Sequence, residues 1–599
     1  MAEKIISPGV FTNEIDQTFL PAAVADIGAA IVGPTLKGPA LVPTVVTSFS
    51  DFQAKFGDVF KSGSTSVQYL TSHAAEEYLK NSNTLTVVRV MDGTFGPATA
   101  NVVTSSGVDG VGQTGNSFVL ETLADGAIMN NGDTRNGTNG LLLSGSKHNI
   151  RYEISNKNNA KGTFTLLVRA GNDNHKRKQI LETYNNVSLD PNATNYVAKA
   201  VGDQRQQLRT DGSTKYLQLT GSYANKSRLV RVRSVDNPTT DYLDENGNVR
   251  INVASGSLPV VGSGSLNGGF TGGSDGFIGF DALGNITTNA TSSAVKYYED
   301  IDTQSQGYNP QTTAQGLDGY SDALDLLANQ DEFDINLILM PGIIHEKHPI
   351  VSNKAIDVCE SRGDCFAIVD PVVYNQNPAD AVTQAEGVDS NFAAMYYPWI
   401  KVPDSQVAGT QRWVPPSTVM GGIYAFNDRV AHPWFAPAGL NRGGITTAIQ
   451  AQRKLTQGER DTLYDSNVNP IATFPGQGVT VFGQKTLQKK SSALDRINVR
   501  RLLIRVKKFV ASSSRFLVFE QNTAATRRRF LGIVNPFLEQ VQSQSGLSAF
   551  RVVMDETNNT PDTIDRNQLV GQLFLQPTRT AEFIVLDFTI QPTGASFPE

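Results

Sequence analysis

At 599 residues the chain is long enough for several domains, each with a core of its own. Hydrophobic residues at 39% and charged residues at 18% describe a folded sequence, not a disordered one, and no apolar run approaches the ~20 residues that span a bilayer. The net charge of −6 hides a segregation: from Lys485 to Arg529 thirteen basic residues meet only Asp495 and Glu520, a local net of +11 that leaves −17 for the remainder. Such asymmetry points to an anionic partner, either a nucleic acid or an acidic protein surface.

In chain order, the start MAEKIISPGVF lacks the long apolar segment of a secretory signal. Pro8 disfavours helix before it, and the alternation after Gly9 predicts an extended segment from Val10 to Ile15. Asp51–Gly57 reads as a short helix closed by a glycine, Val67–Lys80 as a longer helix, and Leu85–Val90 as a buried strand. From about Phe95 to Gly269 the composition shifts to Gly, Asn, Ser and Thr. Short apolar runs such as Phe118–Leu120, Phe164–Val168 and Tyr216–Leu219 predict an all-β region there.

Past a second polar stretch, Asn285–Thr313, a helix is expected over Ser321–Asn329, a buried strand over Ile335–Gly342, a helix over Ala355–Arg362 and a strand over Cys365–Asp370. That order argues an α/β unit with parallel pairing. Tyr396–Gly439 holds all three tryptophans and six of the 27 prolines, which suggests a rigid, largely irregular connection over a core. Farther on, Val499, Leu502, Leu503, Val506, Phe509 and Val510 recur at helical spacing, with Arg500, Arg501, Arg505, Lys507 and Lys508 mostly off that stripe. A strand is expected at Phe516–Phe519. A second helix follows from near Thr523, with Pro536 predicted to kink or break it. Arg527, Arg528 and Arg529 fall in its first turns, where the helix dipole disfavours cations, so a role outside the fold is suggested. Phe583–Ile590, between Pro577 and Pro592, is a strong strand candidate, and a terminal apolar strand needs pairing.

The residues offer little for catalysis or ligand chemistry. His345 and His348 are three apart with Pro349 directly after, which does not suit a zinc-protease helix. Cys359 and Cys365 lack the short spacing of zinc or redox sites and read as buried free thiols of a reducing compartment. Arg362-Gly363-Asp364 would be an adhesion tripeptide only in an exposed loop. Asp370 ends a strand but has no partnered histidine or nucleophile motif. Glycine-rich Gly262–Gly273 is not followed by the Lys-Ser/Thr of a phosphate loop. The Asn-x-Ser/Thr matches at Asn136 and Asn192 suit chance in an Asn/Thr-rich region. No catalytic residue, cofactor or metal is therefore expected, and an enzyme is not.

One set of motifs is specific. Tyr396-Tyr397-Pro398-Trp399, then Trp413-Val414-Pro415-Pro416-Ser417, then Gly422-Ile423-Tyr424-Ala425 with Asp428 following, then Ala436-Pro437-Ala438-Gly439, closely resembles the core signature of contractile tail sheath proteins. A mild departure falls at Val430–Phe435, where His432-Pro433 replaces a more usual glycine-containing turn. Ser7-Pro8-Gly9-Val10, Thr47-Ser48-Phe49-x-Asp51-Phe52, Val87-Val88-Arg89-Val90, Thr271–Gly276, Arg362–Cys365, Asn498–Leu502 and Phe519–Asn522 resemble the same family. The resemblance covers roughly residues 5–90 and 270–599.

It implies a multidomain α/β (α+β) fold: a sheath core assembled from N- and C-terminal segments, with inserted β-rich outer domains. The implied divisions are an N-terminal exchange arm over 1–20, core over 21–94, outer insertions over 95–270, core over 271–475, a tube-facing domain over 476–580 and a C-terminal exchange arm over 581–599. It further implies a structural subunit that stacks as hexameric rings around a tail tube in a metastable extended state and contracts on a baseplate signal. Its arms, Val10, Phe11, Thr12, Asn13, Glu14 and Ile15 and Phe583, Ile584, Val585, Leu586, Asp587, Phe588, Thr589 and Ile590, would add strands to neighbouring subunits. Arg527, Arg528 and Arg529 become candidates for facing the acidic tube. Implied partners are neighbouring copies, the tail tube protein, and baseplate and terminator proteins, with no direct nucleic acid and no membrane insertion. The implied location is the virion tail, assembled in the host cytoplasm. The alternative is a nucleic-acid-binding structural protein that uses the 485–529 block on phosphates.

Overall fold

The structure, a computed structural model, describes residues 27–585 apart from 63–64, 105–114, 132–144, 175, 213, 251–254, 263–268, 278–298 and 405–408. The arm residues Val10–Ile15 and Leu586–Ile590 lie outside the described residues, as does Asn136.

The centre is an eight-stranded sheet of β1 (Gly28–Gly33), β2 (Thr44–Val46), β3 (Leu85–Arg89), β4 (Ile335–Ile344), β5 (Phe366–Asp370), β6 (Ala393–Tyr397), β7 (Val468–Phe474) and β8 (Gly478–Val481). Their order across the sheet is β2-β3-β1-β4-β5-β6-β7-β8. The six inner strands run parallel, and β2 and β8 close the two edges antiparallel. Such a sheet is buried on both sides, which is why its strands read as continuous apolar runs. Alternate residues serve opposite faces: Ala29, Ile31, Leu337 and Leu339 join one core cluster, and Ala30, Val32, Ile338 and Met340 another.

Helices α1 (Phe49–Phe56), α2 (Leu70–Leu79), α3 (Leu317–Leu327), α4 (Pro349–Arg362) and α5 (Ser417–Val430) surround it. Tyr78 of α2 and Met420 and Tyr424 of α5 cover the first face; Leu324 of α3 and Ala355 and Cys359 of α4 cover the second. The predicted short helix is α1, capped by Ser48 and ended by Gly57 at φ +71°. The helix expected from Val67 begins only at Leu70, because Thr65–Gln68 pairs with Val59–Ser62 as a hairpin. β4, α4 and β5 form the parallel unit read from the sequence. The Trp/Pro-rich stretch is more regular than expected: it supplies the end of β6, strands Ile400–Pro403 and Gln411–Val414, and the fourteen-residue α5.

The Gly/Asn-rich region is antiparallel β. Strands Asp92–Val103, Asn116–Asp125, Val230–Ser234 and Ser274–Phe277 form one sheet, Ile150–Asn158, Thr163–Ala170 and Ile180–Ser188 a second, and Arg205–Asp211 with Thr214–Thr220 a hairpin. A short helix, Val197–Val201, interrupts this all-β pattern. Inside the second sheet Arg169 is fully buried and paired to Asp173 (2.7 Å) and Glu153 (2.8 Å).

Two long helices follow the sheet, α6 (Ile497–Ser514) and α7 (Ala524–Ser543), then the antiparallel pair β9 (Leu547–Val553) and β10 (Gln572–Pro577). Leu502, Val506, Phe530, Val534, Leu538, Val541 and Leu547 make a third core cluster. One expectation fails here. Phe516–Phe519 is not a strand: Arg515–Leu517 is a 3-10 turn, and Phe519 takes φ +71° with its ring in solvent. Of the kink or break expected at Pro536, the break does not occur: α7 continues through it. The carbonyl that loses a donor there belongs to Gly532, and both positions are exposed, so solvent has access to it.

Candidate functional site

The C-terminal helices and β9–β10 carry the residues singled out from sequence. The basic block does not present a continuous cationic face. Arg501 is 7% exposed; its Nη1 and Nη2 donate to Asp428 Oδ1 (2.9 Å) and Oδ2 (2.6 Å), with the guanidinium 4.7 Å from the Tyr424 ring centre. Arg500 lies 4.0 Å from the Phe392 ring centre and donates to Asn391. Lys508 is buried against Asp334 and, at 3.3 Å, Asp364. Arg515 pairs with Asp331 (3.0 Å), and Lys489 donates to the Glu386 carbonyl (2.7 Å). Arg500, Arg501 and Lys508, expected off the core-facing stripe, are therefore inside. Their partners come from parts of the chain up to 174 positions away, so part of the block's charge is answered within the subunit. The nucleic-acid alternative has no support.

Of the three arginines at the start of α7, Arg527 turns inward at 8% exposure and donates from Nε to Asn522 Oδ1 (3.1 Å). Arg528 and Arg529 are exposed. Arg528 Nε donates to the Ala524 carbonyl (3.3 Å), which leaves the rest of its guanidinium on the surface.

β9 and β10 pair with each other and with no further strand among the described residues, so each has one edge open. Along β10 exposed and half-buried residues alternate, with Phe574 56% exposed. Residues 578–585 form no strand among the described residues. Glu582 in this stretch is held by three donors: Arg496 Nε (2.7 Å) and Gln484 Nε2 (2.8 Å) at Oε1, and Tyr464 OH (2.8 Å) at Oε2. Burial raises its carboxyl, but these hydrogen bonds outweigh burial and hold it below the usual carboxylate range. Beyond it Phe583, Ile584 and Val585 are exposed. Sequence reasoning missed this contact. Its four side chains are spread over more than a hundred positions, and no local pattern marks them.

The remaining candidates have structural partners. His345 Nδ1 meets Ser352 Oγ (2.8 Å), and His348 Nδ1 accepts from the Ile344 amide (3.1 Å) at the start of α4. Burial pushes the His348 imidazole down to about 4, so it is neutral. Cys359 and Cys365 are buried free thiols with their sulfurs 3.2 Å apart, and burial pushes the Cys359 thiol up. Arg362 is tied to Asp364 (2.8 Å) and to the Phe333 carbonyl (2.9 Å), so the Arg-Gly-Asp tripeptide is locked into the fold. Asp370 is 1% exposed and accepts from the Ser417 amide (2.8 Å) and hydroxyl (2.5 Å), binding β5 to the start of α5.

Two protein-family models match: the phage tail sheath protein central domain over residues 318–487 and the phage tail sheath C-terminal domain over residues 489–591. The tail sheath protein of Vibrio phage KVP40 is 27% identical over 675 aligned positions, covering 99% of each chain. That of Enterobacteria phage T4 is 32% identical over 49% of this chain and 47% of its own. The crystal structure of a sheath tail protein from Listeria innocua shares the fold over 93% of this chain and 96% of that one, with a TM-score of 0.50 at 11% identity. The chain belongs to the phage tail sheath family, and its role is that of a structural subunit of a contractile tail sheath, not of an enzyme.

Proposed function

We propose that the subunit polymerises as stacked hexameric rings around a tail tube, is held in a metastable extended state, and contracts to drive the tube through the host envelope. The observation that carries this reading is the pairing of an open acceptor with a donor in one chain: a two-stranded sheet with both edges unpaired among the described residues and an apolar C-terminal segment whose first residues stand in solvent. Phe583–Ile590 of one subunit, and Val10–Ile15 of another, complete the β9–β10 sheet of a neighbour. Main-chain hydrogen bonds supply the connection and alternate side chains the register. Arms of this kind keep subunits linked while rigid bodies rotate during contraction. The energy is conformational and stored at assembly, so many weak identical contacts suffice.

The partners are further copies of the chain, the tail tube protein, and baseplate and terminator proteins; the location is the virion tail, after assembly in the host cytoplasm. Arg528 and Arg529 face the acidic tube, while Arg527 serves the fold. The divisions read from the sequence stand as proposed domains, with 95–270 displayed outward.

Negative-stain electron microscopy of the purified chain, intact and lacking Ala581–Glu599, tests this. Long hollow cylinders from the intact chain and discrete particles from the truncation are expected. Cylinders that survive truncation sink the C-terminal arm mechanism.

A further inference from the structure

The stretch between β10 and the exposed apolar residues is a strap fastened at every second position. The Thr578 amide donates to the Gly546 carbonyl (3.2 Å). Thr580 Oγ1 is bonded to Gln484 Nε2 (2.5 Å), and Glu582 takes the three donors described above. Arg579 and Ala581, between them, are exposed. The donors on Glu582 come from three separate places: Tyr464 from the helix Gln457–Asp465, Gln484 from the segment after β8, and Arg496 from the start of α6. Gln484 is 3% exposed, and Lys485 Nζ sits 4.7 Å from the Tyr464 ring centre. This is a preformed socket for one carboxylate. Immediately after it exposure jumps to 78%, 80% and 81% at Phe583, Ile584 and Val585.

We infer that Glu582 is a positioning residue that clasps the C-terminal segment to the socket Tyr464–Gln484–Arg496 and so sets the point from which the apolar strand reaches a neighbouring copy. This rests on the arm-exchange reading above and deepens it. With the clasp closed, the free tether begins at Phe583. With it open, only the single hydrogen bonds at Thr578 and Thr580 retain the strap; once they yield, the tether begins after Pro577, and five extra residues add roughly 17 Å of slack. A slacker tether lowers the effective concentration of the strand at its acceptor sheet and blurs the spacing between linked subunits. The clasp needs an anion: three donors converge on one side chain, and an uncharged replacement leaves Arg496 without this partner.

The test uses the full chain and two readouts. Trypsin under native conditions cuts after Arg579 only when the strap lifts, and the released 580–599 peptide is quantified by mass spectrometry. Sedimentation gives the subunit concentration at which cylinders appear. Glu582→Ala is expected to raise the cleavage rate about tenfold and the threshold concentration several-fold, with the melting temperature nearly unchanged. Arg496→Ala is expected to move both readouts the same way, and the double variant to add little to either, because both act on one contact. Arg496→Lys, which keeps the charge, is expected to recover part of each loss. Unchanged cleavage in Glu582→Ala overturns the clasp. Faster cleavage with an unchanged assembly threshold overturns the positioning role. A wild-type chain that forms no cylinders counts against the sheath assembly reading, while the cleavage comparison still decides the clasp.

Discussion

Asp370 joins β5 to α5 through a single serine. It sits at the end of a buried parallel strand, and the Ser417 amide and hydroxyl both point at it. Burial pushes its carboxyl up to about 7 from an ordinary 3.8, with the Ser417 hydrogen bonds opposing the rise. The folded state therefore binds this proton more tightly than the unfolded chain does, and the linkage has a definite sign. This group's contribution is fully present below about 4 and is lost as the pH climbs through about 7. Urea unfolding midpoints measured from pH 4 to pH 8 should show that loss, and Asp370→Asn should flatten it. From sequence alone Asp370 was legible as the end of a strand. Its partner lies 47 positions later, and no local pattern connects them. Arg501 shows the same limit: the sequence marks it as basic, whereas only the fold reveals Asp428 and Tyr424 closing around it.

At the scale of elements, the glycine pair in α5 has a steric reason. A Cβ on Gly422 would stand 2.8 Å from the Glu77 carbonyl oxygen of α2, and one on Gly421 2.5 Å from a Leu339 methyl. The backbones of α2 and α5 approach so closely that Asn81 Nδ2 reaches the Gly422 carbonyl (3.2 Å). In an ordinary exposed helix Gly→Ala stabilises by up to about 1 kcal/mol. Here the sign reverses, because backbone must move: Gly422→Ala should destabilise the subunit by about 1–3 kcal/mol. Thermal and denaturant unfolding check this, and a stabilised variant would refute the close contact. The motif containing Gly422 was recognisable in the sequence, but the helix that bears it was not. Its prolines and aromatics argued for irregular chain, and tertiary packing overrode that preference. Phe516–Phe519 failed for the opposite reason. Its apolar residues look like a strand, but they turn between two helices and have no sheet to join.

At the scale of the whole molecule, the separation between charges that hold the subunit together and charges left outside it becomes measurable. Arg501 and Lys508 are buried and paired, whereas Arg528 and Arg529 are exposed on α7. Replacing both exposed arginines by glutamate should change subunit stability by less than about 0.5 kcal/mol, since neither packs into the core. The same change should weaken coating of tail tubes at least tenfold in co-sedimentation, and wild-type coating should weaken as salt is raised. Undiminished coating by the double variant would remove these residues from the tube contact.

The amino-acid sequence was enough to mark the family resemblance, the parallel α/β unit and the β-rich character of residues 95–270. These rest on local signals: apolar runs of strand length, glycine stops after helices, and a Trp/Pro motif quoted residue by residue. The tertiary structure alone decided which charges are spent inside, where Pro536 is tolerated, and how the C-terminal segment is fastened before it leaves the core. The physical reason is the same in each case. A buried arginine, a proline facing water and a clasped carboxylate are defined by neighbours from distant parts of the chain, and a hydrogen bond across a hundred residues leaves no periodicity behind it.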